Sequence, residues 1–404
     1  MRYTDVAVVG GGLAGSTVAA MLGRAGIPAI LIDPHPVYPP ELRCEKIAGA
    51  HQLELLRNTG LAEPTLRATT LDGEVWEARF GYLVAKKPSD QYGVLYDTLV
   101  NTMRAQIPPA VATIFAKASS IANSGERQKI LLSNDDEISA RLVVLANGLN
   151  IGLRSMLGIN RSVISPCHSV TLGFDVEPVD RAAFPFPALT YWPKRARERM
   201  AYLSLFPIGE KMRGNLMVYR DMTDPWLQQF RRAPEATMLA MMPGLARMTG
   251  GFKVNGPVKI RPADLCVTEG HLQPGVVLVG DAFSTSCPAA GTGTTKVFTD
   301  VGRLCNVHIP AWLATDGMEL QKISQFYDDP EKTACEAWSR ERAYHLRSLS
   351  TDRGLPWLAQ RWARFLFRRA LGIRYAIRRR FAAGTAAPGP VSGPAGPPQH
   401  GRLA

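Results

Sequence analysis

A glycine-rich turn near the N-terminus constrains the fold more than any other part of the chain. Three glycines are spaced as GxGxxG: Gly10, Gly12 and Gly15. The apolar stretch 6–9 precedes them, and an alanine-rich stretch, 16–24, follows. A second apolar stretch, 29–32, then ends at Asp33. This order of strand, glycine turn, helix, strand and acid is typical of a dinucleotide-binding βαβ unit.

Each residue type in this unit serves a structural or chemical purpose. Gly10 permits a tight turn, Gly12 lets a pyrophosphate approach the backbone, and Gly15 lets the helix pack closely on the strand. The start of the helix offers free N–H groups and a partial positive charge to phosphate. Asp33 can accept hydrogen bonds from a ribose diol. The turn alone does not distinguish FAD from NAD.

A second stretch favours FAD. The apolar residues 275–279 run into Gly280 and Asp281, and the glycine-rich residues 291–295 then open a helix. We expect this strand to lie beside the first nucleotide strand, so that Asp281 binds a second polyol. The helix that follows can turn its free N–H groups toward an anionic ring. A reduced flavin is such a ring, whereas a nicotinamide is not.

The chain resembles the FAD-dependent monooxygenases of the p-hydroxybenzoate hydroxylase type (group A flavin hydroxylases). Their superfamily includes geranylgeranyl-reductase-like proteins and flavin halogenases. The resemblance extends over about residues 3–345 and rests on three motifs in family order: the glycine turn with Asp33, the segment 146–154, and 280–281 followed by 288–293. It implies an α/β fold with a Rossmann-type FAD-binding domain, an inserted β-sheet substrate domain and C-terminal helices.

The resemblance also implies individual site residues. Arg43 matches a family arginine that lies along the FAD, although a solvated loop charge is the alternative. Four positions depart from the family: Asn147 replaces the usual aspartate, Ile151 a frequent serine, Thr295 the usual asparagine, and Val94 or a neighbour a flavin-contacting arginine. The departure at Asn147 leaves the handling of NAD(P)H open. The predicted cofactor-binding residues are Gly10, Gly12, Leu13, Ala14, Gly15, Asp33, Arg43, Asp281, Pro288, Gly291, Gly293 and Thr294.

Composition and sequence pattern divide the chain into segments. We predict an FAD-binding domain in two parts, 1–161 and 266–345, a substrate domain, 162–265, a basic helical segment, 346–381, and a disordered tail, 382–404. A helix is predicted over 45–58. A small sheet inserted between nucleotide strands is predicted from 112–116, 129–133 and 141–145. Some aromatic residues of the substrate domain could line an apolar pocket, while most should be core: Phe174, Tyr191, Trp192, Tyr202, Phe206 and Tyr219.

Residue types narrow the chemistry further. The six cysteines include no CxxC pair and the seven histidines no HxxxH cluster, so neither a disulfide framework nor a metal site is expected. We identify no catalytic set, as expected where a cofactor performs the chemistry. Cys287 is either linked to flavin chemistry or a small packing residue. Lys296 faces either ligand or solvent.

The net charge of +12 is concentrated near the C-terminus, where residues 340–380 hold twelve arginines and two acids. An apolar stripe with helical spacing runs through this segment: Leu358, Trp362, Phe365, Leu366, Ala370, Ile373 and Ile377. Arg361, Arg364 and Arg368 fall together on a different face. The stripe either packs on the protein's own body or lies, over 357–379, in the headgroup layer of a membrane. No nucleic acid is expected, because no recognition fold accompanies the arginines.

The function that the resemblance implies is FAD-dependent oxidation. We predict an enzyme, most directly a monooxygenase that uses NAD(P)H and O₂ on an aromatic or unsaturated small hydrophobic substrate. A flavin-dependent reductase of isoprenoid double bonds is the first alternative and a non-catalytic flavoprotein the second; a halogenase is disfavoured because WxWxIP is missing. With no apolar stretch suited to a signal peptide or a membrane span, we expect a cytoplasmic protein, with peripheral membrane contact left open.

Overall fold

The computed structural model describes residues 1–384, with side chains as far as Ile377. The strands are β1 (Arg2–Val9), β2 (Ala29–Ile32), β3 (Lys46–Ala48), β4 (Thr70–Leu71), β5 (Glu74–Arg79), β6 (Tyr82–Pro88), β7 (Gln91–Gly93), β8 (Ala112–Ile114), β9 (Ala118–Ala122), β10 (Gln128–Leu132), β11 (Glu137–Leu145), β12 (Asn160–Pro178), β13 (Ala188–Trp192), β14 (Met200–Ile208), β15 (Lys211–Val218), β16 (Phe252–Glu269) and β17 (Val276–Leu278).

The helices begin and end as follows: α1 (Leu13–Arg24), α2 (Ala50–Asn58), α3 (Ala62–Arg67), α4 (Tyr96–Arg104), α5 (Gly152–Met156), α6 (Pro225–Arg232), α7 (Pro234–Met241), α8 (Leu245–Thr249), α9 (Gly293–Arg303), α10 (Ile309–Leu313), α11 (Leu320–Tyr327), α12 (Pro330–Thr351) and α13 (Leu355–Gly384). Short 3₁₀ turns occupy Ala196–Glu198, Gly280–Ala282 and Pro288–Ala290, and a π-helical turn occupies Leu304–His308.

A seven-stranded sheet carries the dinucleotide-binding unit. Its strands lie in the order β8-β2-β1-β11-β10-β9, and β17 also pairs with β11. Strands β2, β1, β11 and β17 run parallel. Along β1, Val6 and Val8 enter one apolar core while Ala7 and Val9 enter another. Burial on both faces explains why residues 6–9 of this strand are all apolar.

Two details of this sheet differ from the prediction. Strand β11 lies between β1 and β17, so the strand before Asp281 is one position away from β1 rather than beside it. The predicted strands 112–116, 129–133 and 141–145 form β8, β10 and β11 of this same sheet rather than a separate one. Since β1, β11 and β17 are parallel, their carboxyl ends still meet at one edge, where ligands bind in such folds.

A second seven-stranded sheet has the order β16-β12-β15-β14-β13-β5-β6. Its residues alternate: Leu203 and Leu216 enter an apolar core shared with α6 and α7, while Tyr202, Ser204 and Asn215 face a large cavity. This period of two is what a strand requires when its faces meet different surroundings. Strands β5 and β6 come from outside the predicted substrate domain, which therefore draws on earlier residues for this sheet.

A third sheet has three strands, in the order β3-β7-β4. Residues 46–48 pair with β7, so the predicted helix over 45–58 begins only at Ala50. Gly49 separates strand from helix with a φ of 85°, a backbone conformation that favours glycine.

Helix α13 packs along β6, and most of the predicted apolar stripe faces away from the protein body. Phe365 is buried and stacks on Phe80, with ring centroids 5.0 Å apart. A Cβ at Gly372 would lie 1.9 Å from the carbonyl oxygen of Val84, so helix and strand are in close contact there. The other residues of the predicted apolar stripe are exposed. Packing of the stripe on the protein's own body therefore holds for Phe365 and, in part, for Trp362, whose ring centroid lies 5.0 Å from that of Phe80.

The predicted disordered tail, 382–404, lies outside the described residues except for its first three positions, which belong to α13. Among the helices of residues 1–384, none is long and apolar enough to cross a bilayer.

Candidate functional site

A cavity of about 1040 Å³ is lined by residues of both seven-stranded sheets. All of the predicted cofactor-binding residues except Gly15 line it. The glycine turn, the loop after β17 and the start of α9 contribute to the wall, and the second sheet contributes polar residues opposite them. The volume matches the upper end of ordinary ligand pockets.

The three glycines of the first turn have different reasons to be glycine. At Gly10, with φ 103°, an added Cβ would lie 2.6 Å from the Ala146 carbonyl oxygen, and at Gly15 it would lie 1.8 Å from the Gly10 carbonyl oxygen. At Gly12, with φ −74°, it would meet no protein atom closer than 3.8 Å. Protein packing therefore explains Gly10 and Gly15. The open space over Gly12 fits a ligand that approaches the backbone, such as a pyrophosphate.

Helices α1 and α9 both begin at the cavity without side-chain caps. The N-cap residues Gly12 and Thr292 make no capping hydrogen bond, and neither helix has an acidic residue in its first turn. The first N–H groups and the positive end of each helix dipole are therefore available to anionic groups of a ligand.

Asp33 is held by protein donors at the glycine turn. Its Oδ2 accepts from the Gly11 amide at 2.7 Å and its Oδ1 from Arg104 Nη2 at 2.9 Å. Arg104 also donates to the Gly11 carbonyl oxygen, at 2.9 Å from Nε. Sequence reasoning missed Arg104, which ends α4 outside any motif. Asp33 still lines the cavity, and a carboxylate has more acceptor sites than these donors use.

Arg43 and Asp281, predicted independently, are brought together. Arg43 Nη1 lies 3.0 Å from Asp281 Oδ2, and the same guanidinium pairs with Glu41. The side chain of Arg43 is 19% exposed, so it is not a freely solvated loop charge. Its guanidinium lies 5.7 Å from the ring centroid of Tyr96. Burial raises the pKa of Tyr96 to about 12, so this cavity-lining hydroxyl stays protonated at neutral pH.

The middle motif is joined to the loop after β17. Arg154 is buried, and its Nη1 donates to the Ala282 carbonyl oxygen at 2.6 Å while its Nε donates to the Asn150 carbonyl oxygen at 3.0 Å. Burial lowers the pKa of Arg154 to about 10, and the charge of Arg161 adds to this. Asn147 lines the cavity and donates to the same Asn150 carbonyl oxygen at 3.1 Å. The motif thus supports the backbone next to Asp281.

Lys296 faces neither ligand nor solvent, contrary to both alternatives considered from the sequence. It is 3% exposed, its Nζ lies 3.0 Å from Glu336 Oε2, and it donates to the Ser284 carbonyl oxygen at 3.0 Å. The reason is tertiary: α12 packs on α9 and places a carboxylate opposite this lysine. Such long-range pairing leaves no local signal in the sequence.

A second buried ion pair lies beside it. Lys332 Nζ contacts Asp300 Oδ1 at 2.8 Å, and Asp300 Oδ2 accepts from the Gly280 amide at 2.8 Å. Helices α12 and α9 therefore support the turn that carries Asp281, through the contact of Asp300 with the Gly280 amide.

Cys287 fits the packing interpretation. It is fully buried among residues that include Ala201 and Ala289, and it does not line the large cavity. Its Sγ lies 3.4 Å from Ser169 Oγ. Burial raises the pKa of this thiol, which favours the unreactive protonated form.

The wall formed by the second sheet is more polar than the predicted aromatic pocket. Of the six aromatic residues considered from the sequence, only Tyr202 lines the large cavity, and its hydroxyl donates to the Ala289 carbonyl oxygen at 2.9 Å. The other five do not line the cavity, because their side chains lie elsewhere in the sheet or in its apolar core. Ser204, Asn215 and Thr171 stand beside Tyr202 on this wall.

Lys46 also lines the cavity and was missed from the sequence. Its Nζ donates to Ser204 Oγ at 2.7 Å and to Gln91 Oε1 at 3.3 Å, and it lies 4.5 Å from the Phe206 ring centroid. Burial lowers its pKa to about 8. The neighbouring acid, Glu45, is paired with Arg213 at 2.7 Å instead.

Comparisons with known proteins agree with this geometry. Residues 3–307 match the family described as "FAD binding domain". The chain is 24% identical to the 3-demethoxyubiquinol 3-hydroxylase of Escherichia coli K12, over 76% of this chain and 80% of that protein. It is 23% identical to the digeranylgeranylglycerophospholipid reductase of Thermoplasma acidophilum, over 72% of this chain and 74% of that protein.

Solved structures share the fold at lower identity. The p-nitrophenol 4-monooxygenase of Pseudomonas putida DLL-E4 superposes with a TM-score of 0.73 at 16% identity, covering 95% of this chain and 98% of that one. A flavin-dependent brominase superposes with a TM-score of 0.67 at 14% identity, covering 95% of this chain and 100% of that one. The predicted α/β class with a Rossmann-type cofactor domain is confirmed.

Proposed function

The chain belongs to the FAD binding domain family, and from this premise we propose that it is an NAD(P)H-dependent flavin monooxygenase that hydroxylates a small, hydrophobic, hydroxyl-bearing aromatic compound. That it is an FAD-dependent oxidoreductase follows from the family itself. The observation that carries the finer proposal is the continuous cavity, which joins the glycine turn to the polar wall of the second sheet.

The residues around the cavity fit FAD. The uncapped start of α1, with the open space over Gly12, would hold the pyrophosphate, and Asp33 the ribose nearest to it. Arg43 and Asp281 would hold the polyol chain, and the uncapped start of α9 would face the ring. When bound, FAD supplies the electron transfer and oxygen activation that amino-acid side chains do not provide.

The remaining work falls to this chain's own residues. The second sheet would present the substrate to the ring end of the cavity, and Lys46, Ser204 and Asn215 would contact its polar part. Apolar lining residues such as Met217 and Leu42 would exclude water around it. The relative named as a demethoxyubiquinol hydroxylase and the neighbour named as a nitrophenol monooxygenase both support a ring substrate.

The relative named as a digeranylgeranylglycerophospholipid reductase supports a second candidate function. In that alternative the same cavity would reduce an isoprenoid double bond and would use no O₂. The two candidates are separated by their need for oxygen.

The experiment uses purified holoprotein and a panel of phenols, quinols and polyprenyl lipids. We expect FAD to be released on denaturation, and NADH or NADPH oxidation to be stimulated by a phenol or quinol with equal uptake of O₂. Stimulation by polyprenyl lipids under anaerobic conditions would favour the reductase. A protein that purifies and folds without binding FAD would contradict both candidates.

A further inference from the structure

A polar patch on the second sheet is not accounted for by cofactor binding. Ser204 on β14 and Asn215 on β15 are cross-strand partners, and Lys46 from β3 donates to Ser204 Oγ at 2.7 Å. All three residues line the large cavity. We call them the Lys46 patch.

Burial lowers the pKa of Lys46, and the charges of Asp72 and Glu45 partly oppose this without forming an ion pair with it. No carboxylate oxygen among the described residues lies within ion-pair distance of Lys46 Nζ, because the adjacent Glu45 is held by Arg213 at 2.7 Å and 3.0 Å. An ammonium group has three donors, and Ser204 and Gln91 take two of them. One N–H remains for a ligand. Although burial lowers the pKa of Lys46 to about 8, the amine is mainly protonated at neutral pH.

Asn215 is a buried amide without partners. It is 4% exposed and lines the cavity, and its Oδ1 has no hydrogen-bond partner within residues 1–384. A buried polar group left unpaired costs about 1–3 kcal/mol. A ligand hydroxyl, which both donates and accepts, would satisfy the amide.

Hydrogen bonds link the strand that carries Lys46 to the turn before α9. The Ala48 amide, on the same strand as Lys46, donates to Gln52 Oε1 at 2.9 Å. Gln52 Nε2 in turn donates to the Gly291 carbonyl oxygen at 3.0 Å. Strand β3 is thereby tied to the turn that precedes α9.

We propose that Lys46 and Asn215 form the subsite for a phenolic hydroxyl of the substrate and that Lys46 stabilises its ionised form. This inference rests on the proposed function. On binding, the phenol O–H bond breaks, its proton passes to solvent, and the Lys46 ammonium pairs with the phenolate oxygen. Asn215 Oδ1 is an acceptor, so it takes a hydrogen bond from an adjacent substrate hydroxyl that keeps its proton. Ionisation makes the ring carbons ortho and para to the oxygen more electron-rich, which suits hydroxylation.

The test titrates holoprotein with 4-nitrophenol, whose ionised form is coloured, so binding and ionisation are read without turnover. In the wild type we expect the bound phenol to ionise at a lower pH than the free phenol. In Lys46→Met we expect this shift to be lost and the phenolate to bind about tenfold to a hundredfold more weakly, the range for a charge-assisted hydrogen bond. Lys46→Arg should retain most of the ionisation shift.

Lys86→Met is the matched control. Lys86 lies on β6, in the same sheet as Ser204 and Asn215, with its Nζ 3.6 Å from the Trp76 ring centroid, but outside the cavity. Its variant should behave as the wild type. Normal ionisation and affinity in Lys46→Met would overturn the subsite while leaving the proposed function intact. If wild-type holoprotein binds no phenol of the panel, the proposed function fails and the subsite with it.

A second, independent inference concerns α13, some of whose arginines face the body of the protein. Arg361 Nη1 donates to the carbonyl oxygens of Leu349 and Asp352, both at 2.9 Å. Arg368 lies 3.7 Å from Glu77. The opposite face exposes large apolar side chains, 42–79% exposed: Leu355, Leu358, Leu366, Phe367, Ile373 and Ile377. We call them the outer face of α13.

The charge around this outer face indicates which kind of partner fits it. Helix α13 contains no acidic residue, and Arg369 and Arg374 are exposed beside the apolar side chains. A second copy meeting this face symmetrically would bring arginine against arginine. An anionic lipid surface instead accepts both features, with apolar side chains in the acyl boundary and arginines among the phosphates.

We infer that the outer face of α13 lies on an anionic membrane surface, parallel to it rather than across it. Sedimentation with vesicles tests this. We expect holoprotein to sediment with vesicles of phosphatidylcholine and phosphatidylglycerol at low salt, and much less with phosphatidylcholine alone. Leu366→Gln should weaken the partitioning about tenfold, as expected from loss of one buried leucine. Leu272→Gln, at a leucine that is 48% exposed elsewhere, should not change it.

Two results would overturn this inference. One is the absence of sedimentation with anionic vesicles at low salt. The other is equal partitioning of Leu366→Gln and wild type. Concentration-dependent dimerisation that Leu366→Gln abolishes, without vesicle binding, would assign the face to a second copy instead.

Discussion

At the scale of the residue, the first glycine turn separates folding from ligand binding. A methyl group at Gly15 would lie 1.8 Å from the Gly10 carbonyl oxygen, whereas one at Gly12 has 3.8 Å of room. The same substitution at the two positions should therefore have different consequences.

We predict that Gly15→Ala lowers the free energy of unfolding by about 1–3 kcal/mol or prevents folding, because it overpacks the turn. Gly12→Ala should leave the unfolding of the apoprotein unchanged and weaken FAD binding by a similar amount, since the methyl group would occupy the pyrophosphate's space. Chemical denaturation and FAD titration of both apoproteins measure this. Full FAD affinity in Gly12→Ala would contradict the assignment of the turn.

Lys46 should make stability depend on pH in a defined direction. Burial lowers its pKa in the folded protein to about 8, while the unfolded chain keeps a value of about 10.4. Between these values the unfolded state binds more protons, so the wild type gains stability as pH rises. We predict that the free energy of unfolding of the wild type rises relative to Lys46→Met from pH 8 to pH 10. A difference between the two proteins that is constant over this range would contradict a buried Lys46.

These residues also mark where sequence reasoning reached its limit. Asp33 and Asp281 follow strands and could be placed from local patterns. Lys46 and Arg104 could not, because their roles depend on partners in distant segments, such as Ser204 for Lys46. Asn215 could not, because its place on the cavity wall depends on the register of β15 against β14.

At the scale of the element, helices α9 and α12 form the support behind the Asp281 turn. Lys332 and Asp300 are both nearly fully buried and lie 2.8 Å apart. Asp300 also accepts from the Gly280 amide at 2.8 Å. Removal of one partner would leave a buried charge uncompensated, which is costly.

We predict that Lys332→Met lowers the free energy of unfolding by about 3–5 kcal/mol, the range for a broken buried ion pair. The control Lys253→Met removes a surface pair with Glu177, in which the lysine is 62% exposed. Its cost should be below about 1 kcal/mol. Urea denaturation of the two variants gives the comparison, and equal stabilities would show that the buried pair does not hold α12 on α9.

The sequence indicated where helices and strands lie along the chain better than it indicated which of them pack together. The apolar period of α13 was legible, but not its orientation. The stacking of Phe365 on Phe80 and the close approach of Gly372 to Val84 decide which face is inward. The same limit applies to β17, which pairs with β11 rather than β1. Pairing between distant segments is a property of the whole core and leaves no local signal.

At the scale of the whole molecule, the fold and cofactor class were predictable because three motifs in order fix the dinucleotide-binding sheet. The match over residues 3–307 confirms that family. The cavity wall formed by the second sheet was not predictable: of the aromatic residues considered, only Tyr202 lines the cavity. The wall is instead set by which alternate residues of β14 and β15 face inward.

The central claim, that this flavoprotein inserts oxygen into a phenolic substrate, is tested most directly with isotopically labelled dioxygen. Holoprotein is incubated with NADPH or NADH and with the phenol that most stimulates cofactor oxidation, and the product is analysed by mass spectrometry. We predict a product that carries one labelled oxygen atom and forms only when O₂ is present. A product that contains no oxygen from O₂, or that forms equally well without it, would contradict the claim.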